Sequence, residues 1–371
     1  MNSGESSSPE TPNPSVTIYD IAEVAGVSPS TVSRAFSRPD RVSFKTAEKI
    51  RAVATQLGYG TKLETRSTLR ETKDLVGLIG ADLSNEYYIE ILRGAAHAGW
   101  VEDVWITASD VQESPQKSLA AIDKLSGQVD GFILVSARLS NSEIQKVART
   151  KPTVVVNRPV PGVPSVLVDN YDGTTNLISH LAEQGATTVS YLSWPEESWT
   201  DAVRWRALLD ASSGTAPDKT EIITRHMPLP QEKLATMSHM QVSKVTVISP
   251  TVKGGRNAFT QWKSAPTDAV ICYNDLVARG FISQAQAEGW TAPRDLLIAG
   301  YDNNSVATLS TPSLTTVAGP LRSVGRVAAA NLIALVRGLK KPMVKPRVLP
   351  TRLIVRESTS RTVPVPRKRS S

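Results

Sequence analysis

The stretch TIYDIAEVAGVSPSTVSR, residues 17–34, predicts two short helices joined by a tight turn. Apolar residues of the first segment recur at the spacing of one helical face: Ile18, Ile21, Ala22 and Ala25. Thr17 and Asp20 have the spacing of a capping box at the start of this helix. Gly26 lies in the turn. Ser28 and Pro29 suit the start of a second helix, because no backbone N–H is needed at its first position.

The second segment has two unlike faces. Four residues can pack against the first helix: Thr31, Val32, Ala35 and Phe36. The other face carries small hydroxyl side chains around one long donor: Ser30, Ser33, Arg34 and Ser37. Such a helix can lie deep in the major groove of DNA, where a guanidinium group can bind O6 and N7 of guanine together. From periodicity alone, a helical hairpin with an ordinary solvated face stays open as an alternative.

A third helix is predicted after Ser43, which is a suitable N-cap. Its apolar residues close a small core with the first two helices: Ala47, Ile50, Ala54 and Leu57. Together the three segments predict a small all-α unit with a helix-turn-helix at its start.

The composition predicts a globular protein of more than one domain. A chain of 371 residues is too long for a single core, and 40% hydrophobic with 21% charged residues is typical of globular chains. Residues 1–15 lack the apolar core of a signal peptide, and no later stretch approaches about 18 apolar residues, so we expect a cytoplasmic protein. Cys272, the single cysteine, lies in an apolar run, which indicates a buried thiol; we predict neither a metal site nor a cofactor.

The charge distribution is compatible with a polyanionic partner. The chain carries a formal net charge of +7, which alone is weak evidence for nucleic-acid binding. The end of the chain holds four positive charges and no negative one: Arg361, Arg367, Lys368 and Arg369. We interpret this end as a disordered solubilising tail, with an additional DNA contact as the alternative.

Beyond residue 74, short apolar runs alternate with helix-length segments, the pattern of a parallel sheet covered by helices on both faces. Ten runs predict strands and, by their number, two lobes: 75–80, 104–108, 131–135, 153–156, 166–168, 189–192, 221–224, 245–248, 269–272 and 296–299. Many of these runs give way to polar residues at the carboxyl end: Asp82, Ser109, Asp110, Ser136, Asn157, Arg158, Asp169, Asn170, Ser193, Asn274, Asp275 and Asp302. Because ligands bind beyond the carboxyl ends of parallel strands, their recurrence predicts one ligand cleft.

Residues 17–34, followed by VSFKT at 42–46 and LGY at 57–59, closely resemble the headpiece of the LacI/GalR family of bacterial repressors. The resemblance implies a homodimer on a pseudo-palindromic operator in double-stranded DNA, with the second helix in the major groove. By motif position, the base-reading residues are Pro29, Ser30 and Arg34, and Pro29 can offer only an apolar contact. The other DNA-binding candidates contact phosphates or support these contacts: Thr17, Tyr19, Ser28, Thr31, Ser33, Arg41 and Thr46.

The linker, residues 60–73, departs from the family pattern. In the family this stretch becomes a hinge helix on operator DNA, and a leucine from it wedges into the minor groove. Arg66 fits the pattern, but threonines and a lysine occupy the usual Pro-Asn, alanine and leucine places, and Leu69 comes one position late. Two interpretations stay open: Leu69 is the wedge in a shifted register, or the hinge binds mainly through phosphates.

Further motifs extend the resemblance to the family's effector domain, which is similar to periplasmic sugar-binding proteins: DNYDG at 169–173, HLAEQG at 180–185, ND at 274–275, GYD at 300–302, PSLTTV at 312–317 and VREST at 355–359. The predicted organisation is a disordered segment at 1–15, the helix-turn-helix unit at 16–59, the hinge at 60–73, a two-lobed effector-binding and dimerisation domain at 74–359, and the tail at 360–371. The predicted fold class is thus an all-α headpiece plus a two-lobed α/β effector domain like a periplasmic binding protein.

The resemblance also assigns an effector site. Arg204 matches the arginine that holds the ligand, and Asp302 matches an aspartate that accepts hydrogen bonds from ligand hydroxyls. The other effector-binding candidates are Tyr87, Tyr88, Asn157, Asn274 and Asp275. A surface ion pair is the alternative role for Arg204, and a helix N-cap is the alternative for Asp275. Asn157 stands where an aspartate is usual, which argues against assuming a typical sugar ligand.

The function predicted is a DNA-binding transcriptional regulator, a repressor, that responds to a small polar effector such as a sugar derivative. An enzyme is disfavoured because the four histidines have unrelated spacings and no Gly-x-Ser-x-Gly motif or phosphate-binding loop occurs. A regulator that needs no effector, or that binds a protein corepressor, stays open. No leucine heptad follows residue 359, which favours a dimer over a tetramer.

Overall fold

The computed structural model describes residues 16–37, 42–57, 72–194, 198–214, 237–339 and 345–361. The chain separates between Glu71 and Thr72 into two compact units. Across the described ranges, none of the helices has the length and apolar composition that crossing a membrane requires.

The N-terminal unit contains helices α1 (Ile18–Ala25), α2 (Pro29–Ser37) and α3 (Phe44–Gln56). Gly26 ends α1 in the left-handed region at φ 64°, which glycine adopts without strain. Thr17 donates from its N–H and its hydroxyl to the Asp20 carboxylate, at 2.6 and 2.7 Å. Ser28 Oγ and Ser43 Oγ each accept a backbone N–H at 3.2 Å, so the predicted N-caps of α2 and α3 are confirmed.

The core of this unit agrees with the predicted faces except at one position. Ile21, Val32 and Ile50 are fully buried where the three helices meet. Phe36, predicted to pack on α1, is instead 45% exposed. Val32 and Ala35 already fill the narrow contact between the helices, and Phe36 lies one position farther round α2.

In the described residues, the larger unit forms two six-stranded sheets, each the centre of one lobe. The first sheet has the order β11 (Arg347–Leu349), β5 (Ser165–Val168), β4 (Thr153–Val156), β3 (Gly131–Val135), β1 (Leu75–Gly80), β2 (Trp105–Asp110). The second has the order β12 (Arg352–Ile354), β10 (Thr315–Ala318), β9 (Leu297–Tyr301), β8 (Ala269–Cys272), β6 (Thr188–Ser193), β7 (Gln241–Thr246). Neighbouring strands are parallel, except that β10 and β12 are antiparallel. The predicted α/β class with two lobes is confirmed.

The first lobe contains β1 (Leu75–Gly80), β2 (Trp105–Asp110), β3 (Gly131–Val135), β4 (Thr153–Val156), β5 (Ser165–Val168) and β11 (Arg347–Leu349). Its helices are α4 (Glu86–Val101), α5 (Pro115–Ser126), α6 (Asn141–Thr150) and α12 (Leu321–Val336). Helices α4 and α12 pack on one face of the sheet and α5 and α6 on the other, because successive strand residues point to opposite faces.

The second lobe contains β6 (Thr188–Ser193), β7 (Gln241–Thr246), β8 (Ala269–Cys272), β9 (Leu297–Tyr301), β10 (Thr315–Ala318) and β12 (Arg352–Ile354). Its helices are α7 (Asn170–Glu183), α8 (Trp199–Ser213), α9 (Val252–Trp262), α10 (Asp275–Ala287) and α11 (Ser305–Leu309). The chain passes between the lobes after β5, after β10 and after β11, so three segments at 169, 319–320 and 350–351 join them.

The strand predictions succeed for most of the buried strands and fail for an exposed edge strand and for three short strands late in the chain. The runs at 75–80, 131–135, 153–156 and 269–272 coincide with β1, β3, β4 and β8. The run predicted at 245–248 is wrong in its bounds, since β7 begins at Gln241; β7 is an edge strand with several exposed residues, so no apolar run marks its start. Strands β10, β11 and β12 are short and were not predicted, and the run at 221–224 lies outside the described residues.

Two glycines allow helices α4 and α12 to cross with their backbones in contact. A Cβ atom on Gly94 would lie 2.0 Å from Arg322 O, and one on Gly325 would lie 1.9 Å from Ile91 O. Both distances are far inside van der Waals contact. The first lobe therefore requires glycine on each side of this crossing.

We predict that Gly325→Ala lowers the stability of the protein by about 1 to 3 kcal/mol, because the added methyl group forces the two helices apart. Urea denaturation of the full chain measures this change. Gly127→Ala is the matched control, since a Cβ atom there meets nothing within 4 Å. Equal stability of the Gly325→Ala variant and the parent would contradict the packing described.

Candidate functional sites

Helix α2 presents its predicted polar face to solvent. Ser30, Ser33 and Arg34 are exposed. Ser28 Oγ lies 2.9 Å from Ser30 Oγ and 2.8 Å from Thr31 Oγ1, so three hydroxyl groups cluster at the start of the helix. Exposed hydroxyl groups at the start of a helix suit contact with a phosphate.

The remaining DNA-binding candidates have different surroundings. Tyr19 is 68% exposed on α1, and Thr17 is exposed at the start of that helix. Pro29 is half-buried, and Thr46 lies 2.7 Å from Ser43 Oγ at the start of α3. Arg41, Arg66 and Leu69 lie outside the described residues. Their roles remain predictions.

In the larger unit, the candidate site is built around Arg204, which is only 6% exposed. Nε donates to Asn170 Oδ1 at 2.9 Å, and Nη1 donates to the Tyr273 carbonyl at 2.7 Å. The guanidinium carbon lies 3.6 Å from the centre of the Tyr301 ring, a cation–π contact. In the part of the chain that the structure describes, no carboxylate lies within ion-pair distance of Arg204. The alternative of a surface ion pair is therefore wrong.

The first turn of α8 fixes the position of Arg204. Ser198 caps the helix by accepting the Asp201 N–H at 3.2 Å. The buried Asp201 carboxylate accepts hydrogen bonds from the Tyr191 hydroxyl at 2.7 Å and from Lys244 Nζ at 3.0 Å. Arg204 follows Asp201 by three residues, so this polar anchor and the arginine lie on the same side of the helix.

Asp302 lies at the end of β9 with φ 102°, a strained backbone conformation for an aspartate. The buried carboxylate of Asp275 supports the loop that follows, because it accepts the Asn304 N–H at 3.1 Å and the Thr316 hydroxyl at 2.8 Å. Asp275 is fully buried with both oxygens occupied, so it supports the site and does not line it as predicted.

The helix N-cap alternative for Asp275 is also wrong. Asn274 is the N-cap of α10, since its Oδ1 accepts the Val277 N–H at 2.8 Å. The Asn274 amide also donates to Pro250 O at 3.0 Å. Asn274 was predicted to bind the effector, but both polar groups of its side chain form hydrogen bonds within the protein in this structure.

The two tyrosines after β1 face different neighbours. Burial, followed by the Asp302 carboxylate, raises the pKa of the Tyr87 hydroxyl, and the Asn157 side chain lies near that hydroxyl. Tyr87 and Asn157 of the first lobe therefore meet Asp302 of the second lobe in the cleft. Tyr88 Oη instead lies 3.5 Å from Glu113 Oε1. The structure thus brings Tyr87, Asn157, Arg204 and Asp302 together and places Tyr88 beside them in a separate cluster.

A cavity of about 350 Å³ opens next to Tyr87 and Asp302 between the lobes. The first lobe contributes Glu86, Glu90 and Arg322, and the second contributes the loop at 302–304. Glu86 accepts the Ser305 N–H at 2.8 Å across this cleft. Sequence reasoning did not select Glu86 or Tyr273. Asn170 was noted only as a polar strand end, since its contact with Arg204 joins residues far apart in the chain.

Two family models match the chain. Residues 17–62 match the model described as bacterial regulatory proteins of the lacI family. Residues 178–359 match the periplasmic binding protein-like domain. These matches cover the α2 face and most of the second lobe.

Curated relatives span nearly the whole chain. The HTH-type transcriptional repressor CytR of Escherichia coli is 28% identical over 355 residues, covering 92% of this chain and 96% of the relative. Catabolite control protein A of Priestia megaterium is 26% identical over 351 residues, covering 93% and 99%.

Solved structures share the fold. A transcriptional regulator CelR–cellobiose complex is 26% identical with a TM-score of 0.62, covering 92% of this chain and 99% of that one. The lac repressor dimer bound to operator and an anti-inducer is 22% identical with a TM-score of 0.63, covering 93% and 99%.

We predict that Asp302→Asn stabilises the protein near neutral pH. Burial raises the pKa of Asp302 to about 6, and the Arg204 guanidinium opposes part of this rise. When folding raises the pKa of an acid, its ionisation lowers the free energy of unfolding as pH rises from about 4 through about 6. The stability difference between variant and parent should therefore grow to about 1 to 3 kcal/mol across this window.

Thermal denaturation of both proteins from pH 4 to pH 7.5 measures the difference. Asp295→Asn is a control with the opposite sign, because Asp295 has a lowered pKa and its hydrogen bonds favour the charged form. A variant–parent difference at Asp302 that does not change with pH would refute the proposed electrostatics.

Proposed function

The chain belongs to the LacI family of bacterial transcriptional regulators, and from this premise we propose that it is a repressor that binds a pseudo-palindromic operator as a dimer. A small polar ligand held between the two lobes changes its affinity for DNA. The observation that carries the proposal is that one chain has both an exposed, hydroxyl-rich face on α2 and a buried Arg204 in the cleft, with no carboxylate of the described residues within ion-pair distance.

The DNA-binding part rests on the surface of α2. The exposed Arg34 is the long donor among short hydroxyl side chains, so it is suited to reading a guanine edge in the major groove. The hydroxyl cluster at Ser28, Ser30 and Thr31 suits a phosphate or a base edge beside it. Leu69 and Arg66 remain candidates for minor-groove and phosphate contacts.

The ligand-binding part rests on Arg204 and Asp302. A guanidinium group supplies donors and a carboxylate supplies acceptors, as recognition of a hydroxylated compound requires. Tyr87 adds a hydroxyl from the first lobe, so a ligand that meets all three groups favours the closed arrangement of the lobes. The relative solved with cellobiose is consistent with a sugar-like ligand.

The dimer is supported by large apolar side chains that a monomer leaves in water. Trp100 and Trp105 are 75% and 65% exposed, and their rings lie 6.0 Å apart in an edge-to-face arrangement on the first lobe. Ile248 and Leu309 of the second lobe are 56% and 80% exposed. Adjacent exposed apolar side chains such as the Trp100–Trp105 pair are typical of an interface between subunits, which supports a dimer.

We expect Arg34→Ala to weaken operator binding by about 1 to 3 kcal/mol per half-site and to relax base preference at one symmetric position. Selection of binding sites from random DNA, followed by titration at fixed salt, measures both effects. Lys49→Ala removes one exposed positive charge from α3 and should leave the base preference unchanged. An unaltered preference in the Arg34 variant would remove Arg34 from base reading.

The ligand site is tested with Arg204→Met, which removes the charge and keeps most of the side-chain volume. We expect the variant to lose the ligand response in operator binding. Without ligand, its operator affinity should stay within about twofold of the parent's, because a partly compensated buried charge adds little to the stability of the fold. Arg206→Met is the control on the same helix, since Arg206 is largely exposed and pairs with Asp210.

Operator titrations with and without sugars, sugar phosphates and sugar acids provide the measurement. If Arg204→Met responds like the parent, the ligand binds elsewhere. If the parent itself shows neither a response nor thermal stabilisation with any compound, the effector-independent alternative replaces this proposal.

A further inference from the structure

A second group of polar side chains lies between the two lobes and includes Asn157. It surrounds a cavity of about 20 Å³. The first lobe contributes Ser136, Arg138, Asn157 and Arg158, and the second contributes Ser198, Thr200 and Tyr273. A space of this size holds one water molecule. Since its walls come from both lobes, it must widen when the lobes separate.

Within the described ranges, Arg158 has no acidic partner at this cavity. Nη1 donates to the Leu139 carbonyl at 2.7 Å, and Nη2 donates to Asn141 Oδ1. Nε is buried and has no hydrogen-bond partner within the described part of the chain. Burial and the nearby Arg138 lower the pKa of Arg158, the effect of a cation placed next to another cation.

Arg138 is paired with one carboxylate, since its Nε lies 2.5 Å from Glu113 Oε2. Two guanidinium groups, those of Arg138 and Arg158, line the small cavity, and Glu113 is the one carboxylate paired with either of them among the described residues. The larger cavity has the opposite balance, because Glu86, Glu90 and Asp302 face Arg322 there. The small cavity is therefore the more positive part of the cleft.

Besides the Nε donor of Arg158, the cavity has an acceptor on Asn157. Asn157 is 5% exposed, and its Nδ2 donates to Ser136 Oγ at 2.8 Å. Its Oδ1 is buried without a donor among the described residues. Ser136 and Asn157 follow the ends of the neighbouring strands β3 and β4, with φ values of 52° and 74°. At these strained positions of the backbone, both residues line the cavity.

We infer that the effector is an anionic, hydroxylated compound whose carboxylate or phosphate binds between Arg138 and Arg158, with a neighbouring hydroxyl donating to Asn157 Oδ1. This inference rests on the proposed ligand site and specifies the chemical class of its ligand. An acid group supplies only acceptors and meets the free Nε of Arg158, whereas a hydroxyl supplies the donor that Asn157 lacks. The acid also needs more room than one water molecule, so its binding sets how far the lobes close.

Sulfate tests the oxyanion site without knowledge of the whole ligand. In thermal denaturation of the full chain, sodium sulfate should raise the Tm of the parent more than sodium chloride at equal ionic strength. Arg158→Gln should show a smaller excess than the parent, because the donor and charge are gone and only the general stabilisation by sulfate, which is excluded from protein surfaces, remains. Arg294→Gln is the matched control, since Arg294 is an exposed arginine paired with Asp295. An equal sulfate excess in Arg158→Gln and the parent would overturn the inference.

Calorimetric titration with glucose, gluconate and glucose 6-phosphate separates the two acid groups from a neutral sugar. The better acid should bind at least about tenfold tighter than glucose, and Arg158→Gln should remove that advantage. Glucose binding as tightly as both acids would contradict the inference. If Arg204→Met abolishes the ligand response but Arg158→Gln leaves it intact, the proposed function stands and only the anionic class fails.

Discussion

The larger unit is organised around a positive charge that is buried, within the described residues, without a carboxylate in ion-pair contact. Arg204 is held by an amide oxygen, a backbone carbonyl and an aromatic face, all of them neutral. A buried cation is costly unless it is well hydrogen-bonded and electrostatically balanced. Asp302 provides part of that balance, and burial raises the pKa of Asp302 itself. A ligand that bonds to both groups, as we propose, would offset these costs and make lobe closure depend on the ligand.

Much of the polar structure around the cleft serves to hold these two groups in place. Asp201 anchors the first turn of α8 through Tyr191 and Lys244, and Asp275 fixes the loop after Asp302. Both carboxylates are buried and fully occupied, so they position the ligand-facing groups without contacting a ligand themselves. This arrangement explains why the cleft can contain strained strand ends, since the surrounding hydrogen bonds over-determine them.

Local patterns predicted the helices of the N-terminal unit and the buried strands, because caps and apolar runs depend on neighbouring residues. Strands β11 and β12 were missed because three-residue edge strands form only through pairing with distant segments. For the site, resemblance predicted Arg204 and Asp302, which the structure places in one cleft, and it also predicted Asp275, whose carboxylate is occupied by Thr316 and Asn304. Arg138 and Tyr273 carry no local signal, since their role arises only where the two lobes meet.

The central claim is that ligand binding in the cleft and operator binding by α2 are linked. Linkage is reciprocal, so the factor by which the ligand changes operator affinity must equal the factor by which operator changes ligand affinity. The direct measurement is a calorimetric titration of the tightest-binding ligand into the free protein and into its operator complex. If the two sites are linked, the ligand Kd of the free protein and that of the operator complex should differ by about 5- to 150-fold, matching the change in operator Kd. Identical ligand Kd values in the two titrations would contradict it.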